Sequence, residues 1–309
     1  MKHKKVRVGV VQATPALFNS KKTIEIVISW IEKGAKEGCG FLLFPESFIP
    51  CYPRGLNFDA IIGKRTDKSR DLWLEYWENS VDVVSDDLKD IKIAIKKAGL
   101  FVALGVTERE SIGGSLFCTL LYFDNKGNFI GKHRKIKPTG LERYVWAEGD
   151  GKTLLSFDTS IGKIGGLICW ENYMPMARMS MYQKGIEIYL APTADARPSW
   201  QATIQHIALE GRCFVLAANQ IVKKADYPKQ YQVDLKDEPD MICPGGSAII
   251  SPMGELLAGP LWNKEGLLIA DLDFSILAKS KLDFDLAGHY SRNDIFKFEV
   301  LNQPAIVKI

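Results

Sequence analysis

Two periods of apolar and polar positions alternate along the chain. Short runs rich in β-branched and aromatic residues recur as "VRVGVVQA" (6–13), "GFLLFPE" (40–46), "LFVALGVTER" (100–109), "FCTLLYFD" (117–124) and "KIGGLIC" (163–169). They continue as "IEIYLAP" (186–192), "CFVLAANQ" (213–220), "GSAIISP" (246–252) and "GLLIADL" (266–272). Several are apolar almost throughout, the pattern of strands covered on at least one whole face. Between them lie stretches of helical period. In 20–37, Ser20 is the expected N-cap. Ile24, Val27, Ile28, Ile31 and Ala35 then recur on one face, and Gly38 is the expected stop. Stretches 80–98, 175–184 and 199–211 also predict helices. Strands alternating with helices predict an α/β fold. "DNKGN" (124–128) and "SPMGE" (251–255) predict hairpin turns, so part of the sheet is antiparallel. The segment 223–242 is polar and predicts a long surface loop. The stretch 274–309 mixes aromatics with charges and has no clear period.

Composition narrows the class. The 309 residues are 46% hydrophobic and 25% charged, enough apolar material for a large core. Forty basic residues against 37 acidic ones leave a net charge of +3, which argues against nucleic-acid binding. The basic start "MKHKKVR" runs directly into a strand-like stretch, with no apolar region or cleavage site of a signal peptide. No apolar run reaches the roughly 18–20 residues of a membrane span. The expectation is a cytoplasmic protein without membrane contact. Cys39, Cys51, Cys118, Cys169, Cys213 and Cys243 show neither a C-x-x-C pair nor zinc-like spacing, so reduced thiols are expected. His133, His206 and His289 are unpaired in spacing, and no phosphate loop or dinucleotide-binding glycine pattern appears. No metal or organic cofactor is implied.

The reactive side chains fall at strand ends, where ligands gather in α/β sheets. Glu46 closes one run, Lys135 follows "GNFIGKHR", and Cys169 closes "KIGGLIC". A thiolate is a strong nucleophile, and a neighbouring carboxylate can take its proton. A lysine ammonium and the backbone N–H after the nucleophile, that of Trp170, can stabilise developing negative charge. Pro175 suits the first turn of a following helix.

These residues carry a family resemblance. "FPE" with Glu46, "HRKIKPT" with Lys135 and "CWENYMP" with Cys169 resemble, in order, the three signature segments of the nitrilase superfamily of carbon–nitrogen hydrolases. "YPRG" (52–55), "ERYVWAEGDG" (142–151), "QHIALEGRCFVLAANQ" (205–220), "GGSAIISPMGELLAGP" (245–260) and "GHYSRND" (288–294) are also similar. "CWENYMP" and "YPRG" resemble the true nitrilase branch. The resemblance implies a four-layer αββα sandwich with mixed parallel and antiparallel sheets. It implies a catalytic domain over 1–273 and a tail over 274–309 that contributes to homodimer or larger contacts. It implies a Glu46–Lys135–Cys169 triad, with Glu142 as a second carboxylate near the lysine. It is the motif, and not charge, that selects Lys135 over Lys132 and Lys137. Lys137 stands where the family often has an uncharged residue, so an altered pocket electrostatics is expected there.

The activity so implied is hydrolysis of an organic nitrile to a carboxylic acid and ammonia through thioimidate and thioester intermediates. The rivals are a related hydrolase acting on amides or cyanide, and a non-catalytic assembly protein of the same fold. Trp170, Glu171 and Asn172 are candidates to surround the nucleophile. Tyr52, Trp146 and Trp200 are candidates to line an apolar pocket, or else core aromatics.

Overall fold

A computed structural model describes residues 4–301 and 307–308. The first residues of the basic start, 1–3, and residues 302–306 and 309 of the expected tail lie outside them. The strands in chain order are β1 (Lys5–Gln12), β2 (Phe41–Leu43), β3 (Phe101–Arg109), β4 (Leu116–Phe123) and β5 (Phe129–Arg134). Next come β6 (Phe157–Thr159), β7 (Gly162–Gly166), β8 (Ile188–Leu190), β9 (Phe214–Ala217) and β10 (Ile221–Lys223). The last are β11 (Met241–Ile250), β12 (Leu256–Trp262), β13 (Gly266–Asp273) and β14 (Val307–Lys308). They form two mixed sheets. One has the order β13-β1-β2-β3-β4-β5; the other runs β10-β11-β9-β8-β7-β6-β14, with β12 on β11. Both expected hairpin turns join antiparallel pairs, β4 to β5 and β11 to β12.

The central strands are buried on both faces, and strict alternation divides their side chains between layers. Val8, Phe41, Leu43, Ala103, Leu120 and Tyr122 meet Ile188, Leu190, Phe214 and Leu216 between the sheets. The residues between them in sequence, such as Leu42, Val102, Leu104 and Leu121, face α1 (Ser20–Lys36) and, beyond the intervening α2 (Asp67–Glu78), α3 (Lys89–Ala98). On the other sheet Tyr189, Val215 and Ala217 pack outward with Trp200, Ile204 and Ile207. After the short α4 (Glu142–Val145), that outer layer is α5 (Pro175–Tyr182) and α6 (Pro198–Gly211). The result is the expected αββα sandwich.

Several local expectations shift. Asn19, not Ser20, caps α1, its side chain accepting from the Lys22 N–H at 3.0 Å. The helix expected over 80–98 starts only at Lys89. Val81 instead makes an isolated parallel bridge to Glu108, and the Asp82, Ser85 and Asp87 side chains hold local N–H groups at 2.9–3.1 Å. Such short polar side chains offer the backbone an alternative to helix. Helix α2 buries only Leu72 and Tyr76, too few apolar positions to show in the pattern. The polar 223–242 stretch is not a bare surface loop. It contains α7 (Lys229–Gln232) and anchors itself through buried Tyr227, Tyr231 and Leu235. Past β13, Phe274 and Leu277, the latter in α8 (Ser275–Ser280), enter the inter-sheet core, whereas Leu282, Tyr290, Ile295 and Phe296 are exposed. Among the described residues no helix is long and apolar enough to cross a membrane.

Two glycines let the site form. A methyl group at Gly105 in β3 would collide with the Pro45 carbonyl and lie 2.8 Å from the Cα of Glu46. One at Gly166 would collide with the Leu190 carbonyl of β8. Both positions hold the chain close to the segments that carry the reactive groups.

Candidate active site

The sandwich brings the chain segments beyond several strand ends to one place. Glu46 lies three residues beyond β2, Lys135 one beyond β5 and Cys169 three beyond β7. Cys169 thus does not close its strand. It opens a 3₁₀ turn, with φ +50°, and its N–H donates to the Pro192 carbonyl at 2.8 Å. Ser47, after Glu46, is likewise left-handed at φ +45°. Non-glycine residues in that region are strained and persist where surrounding contacts fix them.

Glu46, Lys135 and Cys169 are 1%, 0% and 4% exposed. The Lys135 ammonium donates to Glu46 Oε1 at 2.7 Å and to Glu142 Oε2 at 2.8 Å. Glu142, at the start of α4, also accepts from the Thr139 N–H at 2.6 Å and from the Tyr52 hydroxyl at 2.7 Å. Glu46 Oε1 accepts in addition from the Cys118 thiol at 3.4 Å, while Oε2 is buried with no partner. That oxygen is the free acceptor of the cluster. The Gln220 amide donates to the Glu46 carbonyl at 2.7 Å, tying the loop to the second sheet. The Cys169 sulfur accepts from the Thr193 hydroxyl at 3.0 Å.

Charge and burial set the proton affinities. Burial, reinforced by Glu142 and opposed by Lys135, raises the Glu46 carboxyl above the ordinary glutamate value of 4.5. Burial together with Glu46 and Glu142 pushes the Cys169 thiol up to about 12, against the pull of Lys135 and Thr193. Burial works against charge on Lys135, but Glu46, Cys169, Cys118 and Glu142 hold it well above the usual lysine value. The resting arrangement is a neutral thiol beside an ammonium held between two carboxylates.

Glu171 joins the two halves. Its carboxylate accepts from the Ile136 N–H at 2.5 Å, from the Ile168 N–H at 2.7 Å and from His133 Nε2 at 2.9 Å. Ile136 follows the lysine and Ile168 precedes the cysteine. His133 is therefore a buried partner of Glu171; His206 and His289 lie apart from it, beside Glu210 and Tyr290. Asn172 donates to the Leu167 and Cys169 carbonyls at 3.0 and 2.8 Å and accepts from the Tyr189 hydroxyl at 2.7 Å, fixing the turn from inside.

A cavity of about 290 Å³ opens over Cys169, lined also by Tyr52, Arg54, Glu142, Trp170 and Asp195. A second, of about 350 Å³, shares Tyr52, Arg54 and Glu142 with it and reaches Trp146. Tyr52 and Trp146 pack edge to face at 5.7 Å, and Trp170 donates to Asp195 at 2.9 Å. Trp200 does not join them: it is 1% exposed, on the face of α6 that packs into the outer core. Lys137 is also outside the lining; it is exposed and paired with Glu148, so the extra cation is neutralised at the surface. Thr193, Asp195, Arg54 and Gln220 are additions that sequence reading did not single out. The segment after β8, parallel to the strand that leads to Cys169, was the available signal for the first two.

Comparison with known proteins follows the same lines. The family model for carbon-nitrogen hydrolases matches residues 7–281. The chain belongs to the carbon–nitrogen hydrolase family. This hydrolase is 46% identical over 301 residues to an aliphatic nitrilase of Sinorhizobium fredii, covering 97% of each chain. It is 45% identical over 305 residues to a bifunctional nitrilase/nitrile hydratase of Lupinus angustifolius, covering 97% of this chain and 87% of that one. In fold it is similar to a carbon–nitrogen hydrolase from Helicobacter pylori, with TM-score 0.72, 23% identity and coverage of 96% and 99%.

Because Glu171 satisfies three donors in a dry interior, Glu171→Ala should lower unfolding stability by about 3–5 kcal/mol, as expected for a broken buried charge network. Urea or thermal unfolding checks this; a loss below about 1 kcal/mol would show that the strap is slack.

Proposed function

We infer that this carbon–nitrogen hydrolase is a nitrilase, converting an organic nitrile and two waters to a carboxylic acid and ammonia with Cys169 as nucleophile. The supporting observation for the activity is the 45–46% identity, over nearly the whole chain, to proteins named as nitrilases. The supporting observation for the roles is a buried thiol that shares a cavity with Glu142, one end of a carboxylate–ammonium–carboxylate cluster.

Glu46, whose Oε2 is free, takes the thiol proton as sulfur attacks the nitrile carbon. A C–S bond forms, one C–N π bond breaks, and the proton passes to nitrogen to give a thioimidate. Lys135 and the Trp170 N–H stabilise charge developing on nitrogen. Water, deprotonated by Glu46, adds to give a tetrahedral intermediate. Loss of ammonia, protonated by Lys135 or Glu46, leaves a thioester. A second water hydrolyses the C–S bond, releases the acid and returns the proton to sulfur. Glu142 holds the ammonium from its other side and keeps the Tyr52 hydroxyl over the cavity. Expulsion of the thiolate from the same tetrahedral intermediate would release the amide. The bifunctional nitrilase/nitrile hydratase named among the relatives makes that branch a second reading. The steps need side chains and water alone. The six cysteines, all unpaired and buried, support a cytoplasmic location.

We also propose a homodimer, with 1–273 as the catalytic domain and the tail beyond it adding contacts. Tyr173, Met174, Met176 and Leu209 are exposed on α5, α6 and the turn before them, and Leu282, Ile295, Phe296 and Leu301 are exposed in the tail. Large apolar side chains grouped in this way mark association surfaces. The α5 face directly follows the Cys169 turn, so association would brace the nucleophile.

Cys169→Ala should abolish ammonia release from nitriles. Lys135→Ala should lose roughly 10²-fold or more, whereas Lys132→Ala and Lys137→Ala should be mild, since those two face Glu108 and Glu148. Steady-state ammonia assays decide this, and equal losses at the three lysines would contradict it. Light scattering should give at least a dimer for the full chain and a smaller assembly after truncation near residue 280. A monomer with full turnover would remove the proposal.

A further inference from the structure

Two guanidinium groups, Arg54 and Arg197, line the Cys169 cavity, and the Lys135 ammonium is bonded to the lining residue Glu142; the three cations differ in what neutralises them. Lys135 is held by Glu46 and Glu142. Arg197 donates to both oxygens of Asp195, at 2.9 and 2.6 Å. Arg54 has no carboxylate within 4.0 Å among the described residues. One of its five N–H donors reaches the Ala194 carbonyl, and the guanidinium lies 5.3 Å from the Tyr52 ring centre. No other side-chain donor of Arg54 has a protein acceptor among the described residues. The group is half-buried and lines both the cysteine cavity and the adjoining one.

A cation in a partly dry cavity with its planar donor fork unfilled is built for an anion. The other charges on that wall are already engaged. Glu142 is held by Lys135, Tyr52 and Thr139, and Asp195 by Arg197 and Trp170. A monoanion would therefore meet one free charge, Arg54. A dianion would also face the two carboxylates at close range. A cavity of about 290 Å³ with the thiol and the guanidinium both on its lining suits a chain of a few carbons between the two reacting ends.

We propose that Arg54 recognises a carboxylate on the substrate, so that the preferred nitriles are short cyano-carboxylic acids and not their neutral counterparts. This rests on the nitrilase reading above, and the experiment separates the two. The probes are 3-cyanopropanoate and 4-cyanobutanoate, each beside its methyl ester. For the wild type the acid should exceed the ester in kcat/KM by about 10- to 100-fold, the range of a charge-assisted hydrogen-bonded pair. Arg54→Gln should bring that ratio close to one, whatever the absolute rates, and Arg54→Lys should give an intermediate ratio. A second readout needs no turnover: the acid, and not the ester, should slow alkylation of Cys169 by iodoacetamide in the wild type but not in Arg54→Gln. Protection by the acid without turnover of any nitrile would uphold Arg54 and remove the nitrilase reading. Equal turnover of acid and ester by the wild type, or a ratio that survives Arg54→Gln, would overturn Arg54 and leave the nitrilase reading standing. The wild-type ratio decides even if a variant fails to fold.

Discussion

A buried ammonium shared between two carboxylates is the interaction on which this site depends. Lys135 is fully buried, and it is tolerated there because Glu46 and Glu142 each lie within 2.8 Å of its nitrogen. One carboxylate would have sufficed for neutrality. The second leaves an excess negative charge in a dry interior beside a thiol. Burial raises Glu46 and Cys169 together, and that excess adds to the rise. The proposed first step is then a proton transfer between two groups that the same field has displaced in the same direction, and the cluster's net charge is conserved when Glu46 receives the proton.

The sandwich makes this cluster possible by placing its parts on different sheets. Glu46 and Lys135 follow strands of one sheet, and Cys169 and Thr193 follow strands of the other. Their separation is set by the packing of Phe41, Leu43 and Leu120 against Ile188, Leu190 and Leu216. Two hydrogen-bonded straps cross the gap. Gln220 holds the Glu46 backbone, and Glu171 grips the chain next to both Lys135 and Cys169. The site is thereby a property of the inter-sheet core as a whole, and the strain at Ser47 and Cys169 is absorbed by it.

Much of this was legible in the sequence. The short apolar runs placed the central strands, because burial on both faces makes them apolar throughout, and the two hairpin turns located antiparallel pairs. The triad positions were legible through ordered motifs, and strand parity adds a physical reason for part of that choice. Lys132 and Arg134 point to Glu108 on one face, while His133 and Lys135 point inward. Parity does not separate Lys135 from Lys137, because both lie beyond the end of β5. What the sequence hid was non-local. The 80–98 stretch has helical spacing, yet Asp82, Ser85 and Asp87 capture its first turn. Trp200 and Trp146 look alike as letters, but one is on the buried face of α6 and the other beside the cavity. Arg54 becomes conspicuous only when the partners of the other cations are known.

The most direct test of the shared ammonium is the pH dependence of kcat/KM, which reports the ionisation of the free enzyme's base. Glu46 must be ionised to accept the thiol proton, and its carboxyl is raised, so activity should be lost on acidification at a pH above the ordinary 4.5. Removing the like charge with Glu142→Gln should lower the proton affinity of Glu46 and move this acid limb to lower pH, alongside any fall in rate. An acid limb at or below 4.5 in the wild type, or one that Glu142→Gln leaves in place, would contradict the account.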